Sequence, residues 1–542
     1  MTEHPIVRCT SHRCAQSILL RSRRASIAGI LCLLPLFLVL PPKGEGQADL
    51  ANGNFRNPIL YADYSDPDVI RSGRDFYLVA SSFHFMPGIP ILHSRDLVNW
   101  EIIGHVYPRL DLSPDYDLIG GNRYGGGAWA PSIRFHAGRY YVYFPTPDEG
   151  IFQSNATSPY GPWTKPVAVL SGKGLEDPCS FWDDDGQAYL IHSRLGAGPL
   201  ILHRMNAEGT AVLDEGNVIV DDPAQLPTLE GPKLYKRNGY YYIFAPYGGV
   251  WNGSQVVLRA KNIFGPYEHR TVLEQGQTSV TGPHQGGYVE TPDGKGWFVH
   301  FHAQGAYGRI VYLEPVRWKK GWPVIGASKD GSTVGVPVTE WKKPVPGQPI
   351  EVPSTSDEFD SAILKPQWEW NHNPDDTLWS LHDRPGFLRL RSGFAEDLYH
   401  ARNTLTELSQ DPAYSVTVSV DLKDMTDGQH MGLALFSEHA CWMGVIQSGS
   451  GRQLHFESVS DSITGPRVSM LSIQLRVEVR DEFALFSYSE DNGHSFTVLG
   501  KPTRIQFSWW KGARPAVFNF TTKNDPDTSG IVDVDWVHYK RQ

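Results

Sequence analysis

The sequence predicts an all-β protein: a five-bladed β-propeller followed by a β-sandwich. Three observations carry this expectation. A unit of a proline, about ten residues containing a Gly or Asp turn, and an aromatic strand recurs five times with a period near 50 residues. Aromatics are 12% of the 542 residues, with 16 Trp, while 53 Gly and 40 Pro divide the chain into pieces too short for long helices. Beyond a proline-rich stretch the repeat stops and short strands of alternating polarity take over.

The chain opens on a targeting pattern. Arg21, Arg23 and Arg24 precede the apolar run Ile27 to Leu40, which is short for a membrane span and right for a signal-peptide core. Residues 1–48 are therefore expected to be a signal-peptide region cleaved after Ala48, with the mature chain exported to the periplasm or outside the cell and no stable membrane span. An uncleaved N-terminal anchor is the alternative. Ser22 to Ile27 resembles a twin-arginine signal without its usual aromatic. Cys9, Cys14 and Cys32 fall in this leader, and the remaining pair, Cys179 and Cys441, implies no disulfide framework. The net charge of −10 arises from 49 basic and 59 acidic residues without long runs of either sign, which argues against nucleic acid as a partner.

Residues 49–333 hold the repeats, for which a plain meander sandwich is the alternative reading. They start at Pro67, Pro131, Pro178, Pro232 and Pro283, which lie 64, 47, 54 and 51 residues apart. Their aromatic strands follow at Tyr77, Tyr141, Tyr189, Tyr242 and Phe298. In a propeller the first strand of each blade lines the central channel, so residues beside these prolines converge on one small volume. Those residues are Asp66, Trp129 with Ala130, Asp177, Glu230 and His284. Three of five blades thus deliver a carboxylate. Carboxylates crowded into a cleft resist ionising together, which supplies a proton donor and a base in one site, the pair that glycosidic hydrolysis needs. A calcium or magnesium site is the competing reading of three acids and a histidine. Strand alternation places Asp68 on the side of Asp66, either perturbing it or capping a turn, and sends Glu176 to the face opposite Asp177.

Six ordered motifs, NPILYADYSDPDVI, SSFHFMPGIPILHSRDLVNW, GGAWAPSIRF, LEDPCSFWDDDGQAYLI, LEGPKLYKRNGYYYIFAP and GPHQGG, resemble the glycoside hydrolase family 43 propeller, in particular its β-xylosidase and α-L-arabinofuranosidase members. The resemblance covers Asn57 to about Gly326. It implies an inverting enzyme with Asp66 as general base, Glu230 as general acid, and Asp177 as the group that tunes the acid's pKa and orients it. It also implies Phe83 and Trp129 as walls against the sugar and Arg309 as a holder of sugar hydroxyls. Blade packing, for the two aromatics, and a structural ion pair, for Arg309, are the alternatives. No cofactor is required by this chemistry. His284 matches a channel histidine that orders a structural calcium through waters, with a hydrogen-bonded core histidine as the other reading.

Residues 334–355, rich in proline, read as a stiff linker along the surface. Residues 356–542 read as the sandwich, with strands at Tyr414 to Leu422 and Ser472 to Val479. DEFDSAILKPQWEWNHNP and DVDWVHY resemble the concanavalin-like jelly roll appended to family 43 β-xylosidases, which implies packing on the propeller and closure of one side of the site, with polysaccharide binding or stabilisation alone as the alternatives. Asp360 and Asp535 are candidates for a structural calcium or are simply exposed edge acids. Together these readings describe an exo-acting hydrolase that releases terminal α-L-arabinofuranose or β-D-xylose from hemicellulose oligosaccharides or polysaccharides. An endo-arabinanase and a non-catalytic carbohydrate-binding propeller are the alternatives. Nothing in the pattern signals an oligomeric state.

Overall fold

Two-residue turns join the first two strands in three of the five blades. Arg237 pairs with Tyr240 across Asn238-Gly239, and His136 with Arg139 across Ala137-Gly138. Both residues of each of these two turns have positive φ, the turn geometry that matches the twist of a hairpin. The computed structural model describes residues 47–329, 331–525 and 529–542. The leader pattern, with its arginines, apolar run and three cysteines, lies outside them. No helix among the described residues is long and apolar enough to cross a membrane.

Five antiparallel four-stranded sheets follow one another. Their first strands are Asp68–Ser72, Ser132–His136, Leu175–Trp182, Lys233–Arg237 and Gly286–Glu290, and their last are Glu101–Tyr107, Val167–Ser171, Asn217–Val220, Glu268–Leu273 and Trp322–Ile325. The first strands neighbour one another around the ring, the first blade touching both the second and the fifth. Neighbouring blades cover both faces of the second strands, so these are apolar nearly throughout, as in Tyr242, Ile243, Phe244 and Ala245. The ring is closed by the segment before the first blade: Asn57 exchanges hydrogen bonds with Leu313 at 2.9 Å, and Leu60 bridges Val311. The proline-rich segment is stitched down, with Glu340–Lys342 pairing Asn54–Arg56 and Lys343 bound to Asp49 and Asp96.

The second domain has two sheets around a core that includes Val416, Val418, Leu433, Met443, Leu475, Val477 and Val534. Its strand Ser472–Arg480 buries every second residue, the signature of a half-exposed sheet. One sheet extends into the propeller. Phe85–Met86, from the first blade, pairs with Glu369–Asn371 as that sheet's outermost strand. Ala306 and Tyr307 of the fifth blade sit in the sandwich core. The protein is therefore all-β, a five-bladed propeller and a concanavalin-like sandwich, joined through a shared sheet and shared core.

Candidate active site

Asp66 and Asp177 each stand immediately before a proline in a left-handed conformation, with φ of 54° and 52°. Non-glycine residues rarely adopt it, and they hold it where surrounding contacts fix them. Asp66 accepts hydrogen bonds from Ser81 Oγ at 2.6 Å and from Arg309 Nη1 at 2.8 Å. Asp177 accepts from the Gly231 N–H at 2.8 Å and from Ser193 Oγ at 3.2 Å. Gly231 itself has φ 61°, and a Cβ there would come within 2.8 Å of the Gln285 side chain, so the residue beside Glu230 has to be glycine.

One cavity of about 460 Å³ is lined by Asp66, Phe83, Trp129, Asp177, Glu230, His284 and Arg309. All seven residues singled out in the sequence are thus brought together. Glu176 lines it too, contrary to the expectation from strand alternation. The pairing with the next strand shifts register between Glu176 and Cys179, and the left-handed Asp177 inside that bulge turns both carboxylates to one side. Asp68 does not line the cavity, and its partners come from the second blade rather than from a local turn. It is fully buried and accepts from Arg134 Nη1 at 2.6 Å and from the Ile133 N–H at 3.0 Å.

Charge is distributed unevenly across this cavity. One oxygen from each of Glu176, Asp177 and Glu230 lies within 4.8 Å of the other two, and three carboxylates so close do not all ionise. Burial first, then Asp177 and Glu230, push Glu176 up to about 9. Burial and Glu230 raise Asp177 to about 6, while Lys233 opposes the rise. Lys233 is buried three residues beyond Glu230, and its Nζ has no hydrogen-bond partner in the protein. Asp66, by contrast, carries the Arg309 guanidinium as its own counter-ion.

Arg309 therefore makes an ion pair with a site acid, and its buried Nε has no protein partner. His284 is buried, with Nε2 3.2 Å from Glu230 Oε1 but out of hydrogen-bond alignment. Calcium takes six to eight oxygens, and the donors at His284 are one ring nitrogen and one carboxylate, so a calcium there would be held through waters. Asp360 is mostly exposed and pairs weakly with Lys365; neither it nor Asp535 belongs to the one three-ligand group found among the described residues.

Phe83 and Trp129 face each other with ring centroids 6.1 Å apart. The third wall, Trp510, comes from the sandwich and was not singled out in the sequence. It is 48% exposed, stands 6.3 Å from Trp129, and has the Arg309 guanidinium 5.8 Å from its ring. Its neighbour Trp509 stacks on Tyr124 of the propeller at 4.1 Å. Both tryptophans have positive φ, which lets one anchor the loop while the other looks into the cavity.

Residues 55–323 match glycosyl hydrolases family 43, and residues 356–540 match the beta xylosidase C-terminal concanavalin A-like domain. The chain is 42% identical to a putative beta-xylosidase of Xylanibacter ruminicola, covering 89% of this chain and 88% of that protein. It is 35% identical to a non-reducing end alpha-L-arabinofuranosidase of Bacteroides ovatus over 66% of this chain and 68% of that protein. Among solved structures, a bifunctional GH43-CE protein of Bacteroides eggerthii superposes with a TM-score of 0.81 at 31% identity; the alignment covers 90% of this chain and 64% of that one. The chain belongs to glycosyl hydrolases family 43.

Proposed function

We propose that this glycosidase releases single pentose units, α-L-arabinofuranose or β-D-xylose, from the ends of hemicellulose oligosaccharides with inversion at the anomeric carbon. The observation that carries this reading is the asymmetry of the carboxylates. Asp66 is paired with a guanidinium at 2.8 Å, whereas Glu230 has a carboxylate oxygen within 4.8 Å of one from each of Glu176 and Asp177. An ion-paired carboxylate suits a base, and a crowded one suits an acid.

In this scheme the sugar lies between the Phe83, Trp129 and Trp510 rings, whose faces exclude water and stack on its apolar side. Asp66 removes a proton from a water molecule as that water attacks the anomeric carbon. Glu230 delivers its proton to the leaving oxygen as the glycosidic bond breaks on the opposite face. Asp177, tied to the peptide beside Glu230, orients the acid and keeps its proton in place. The names of the relatives support a pentose substrate, and the Trp510 wall supports cutting at chain ends. The signal-peptide pattern supports export to where such oligosaccharides arise.

The test is turnover of aryl arabinofuranosides and xylosides and of arabinoxylan, arabinan and xyloglucan oligosaccharides by Asp66→Ala and Glu230→Ala. Each variant should lose at least about 10²-fold in kcat, the lower end of what a positioned acid or base supplies. Near wild-type rates in either would remove the assigned role, and oligosaccharide products from the wild type would point to internal cleavage.

A further inference from the structure

The sandwich reaches the segment that leads into Asp66 with a charged side chain as well as with Trp510. Lys511 is only 3% exposed. Its Nζ donates to the Asp63 carbonyl at 2.9 Å and to Ser65 Oγ at 3.1 Å, the two residues flanking Tyr64 just before Asp66. The next residue, Gly512, donates its N–H to Asp63 Oδ2 at 2.9 Å, and the other oxygen of that carboxylate accepts from the Arg309 N–H at 2.9 Å. Arg309 in turn holds Asp66. The three segments meet without slack: a Cβ on Gly512 would come 2.5 Å from the Tyr307 carbonyl carbon, and one on Gly308 would come 2.3 Å from Asp63 Cγ.

We propose that Lys511 is a positioning residue for hydrolysis: from the sandwich domain it fixes the backbone that presents Asp66 and supplies a positive charge behind that carboxylate. The proposal rests on Asp66 being the base. Burying an ammonium group is costly, and an apolar side chain would serve as well if the contact only glued two domains together. Lys511 instead spends its donors on the two residues that lead into the strained Asp66, and its Nζ lies 5.5 Å from the centre of the Phe83 ring. The charged and titratable groups around it are Asp63 and Asp66 from the segment before the first blade, His84 from the first blade, and Arg514 and Glu369 from the sandwich. The last two are paired with each other.

Removing a nearby positive charge makes a carboxylate harder to ionise, so activity that needs an ionised base falls off at higher pH on the acid side. Misplacing a reacting group by about 1 Å costs about 10²-fold. The experiment is steady-state kinetics across pH for the full chain carrying Lys511→Met, Lys511→Gln or Lys511→Arg, with thermal unfolding of each. Lys511→Met should lose about 100-fold in kcat with KM changed less than about threefold, and the acid limb of its kcat/KM profile should move to higher pH. Lys511→Gln, which keeps donors without charge, should show the same limb shift with a smaller loss in kcat, and Lys511→Arg should keep the wild-type limb. Wild-type kcat and an unmoved acid limb in Lys511→Met or, where that variant does not fold, in Lys511→Gln, would reduce Lys511 to a structural clip and overturn the proposal. Asp66→Ala, measured alongside, separates the two ideas: if it is inactive while the Lys511 variants behave as wild type, this inference alone fails, and if it is active the base assignment fails first.

Discussion

The Gly231 N–H, in the peptide linking Glu230 to Gly231, donates to Asp177 Oδ2 at 2.8 Å. The third acid of the site is thereby locked to the segment that carries the second, although 54 residues separate the partners. Their electrostatics are linked as well, since Glu230 is among the groups that raise Asp177.

Asp177→Asn keeps an acceptor for the Gly231 N–H while deleting the negative charge. Loss of a neighbouring negative charge makes a proton donor more acidic. The alkaline limb of the kcat profile, where the acid loses its proton, should therefore move to lower pH, and kcat at the optimum should fall. An unmoved alkaline limb would show that Asp177 does not act on the acid's charge.

Glu176 offers a stability test. Its carboxyl is raised by burial from 4.5 to about 9. A group whose folded-state value lies above its unfolded one contributes stability that is complete below about pH 4.5 and is lost as pH rises towards about 9. Glu176→Gln, which resembles the protonated form and does not titrate, should therefore gain in melting temperature relative to wild type as pH goes from 5 to 9. A gap that stays constant over that range would contradict a buried, protonated Glu176.

Trp510 lines the cavity beside Trp129 and the Arg309 guanidinium. Trp510→Ala should raise KM for disaccharide and aryl pentoside substrates by about 10-fold, near the lower end of the roughly 1.5 to 3 kcal/mol that burial of a large apolar side chain supplies. The change in kcat should be smaller. Equal losses in kcat and kcat/KM with KM unchanged would mean that the ring acts on the transition state alone.

The propeller was legible because its unit is local: proline, turn and aromatic strand recur within one blade, and the channel position of Asp66, Asp177 and Glu230 follows from the repeat. What the sequence concealed depends on backbone geometry or on distant segments. Regular alternation sends Glu176 away from the cavity, and only the bulge with Asp177 at φ 52° brings it back. Trp510 and Lys511 lie more than 440 residues from the Asp63 to Asp66 segment that Lys511 grips. The adjacent tryptophans followed by Lys-Gly were a visible signal of an aromatic loop, but its destination is set by the pairing of Phe85–Met86 with the sandwich sheet. Alternation put Asp68 on the side of Asp66, yet Arg134 arrives from the second blade to bind it, a contact between residues 66 positions apart.

The most direct test of the acid and base pair is the stereochemistry of the first product. Proton NMR of the wild-type enzyme acting on an aryl pentoside should show the sugar appearing first as the anomer opposite to that of the substrate, and the other anomer growing only by mutarotation. Initial release of the same anomer as the substrate would mean a covalent intermediate, and would contradict Asp66 acting as a base on water.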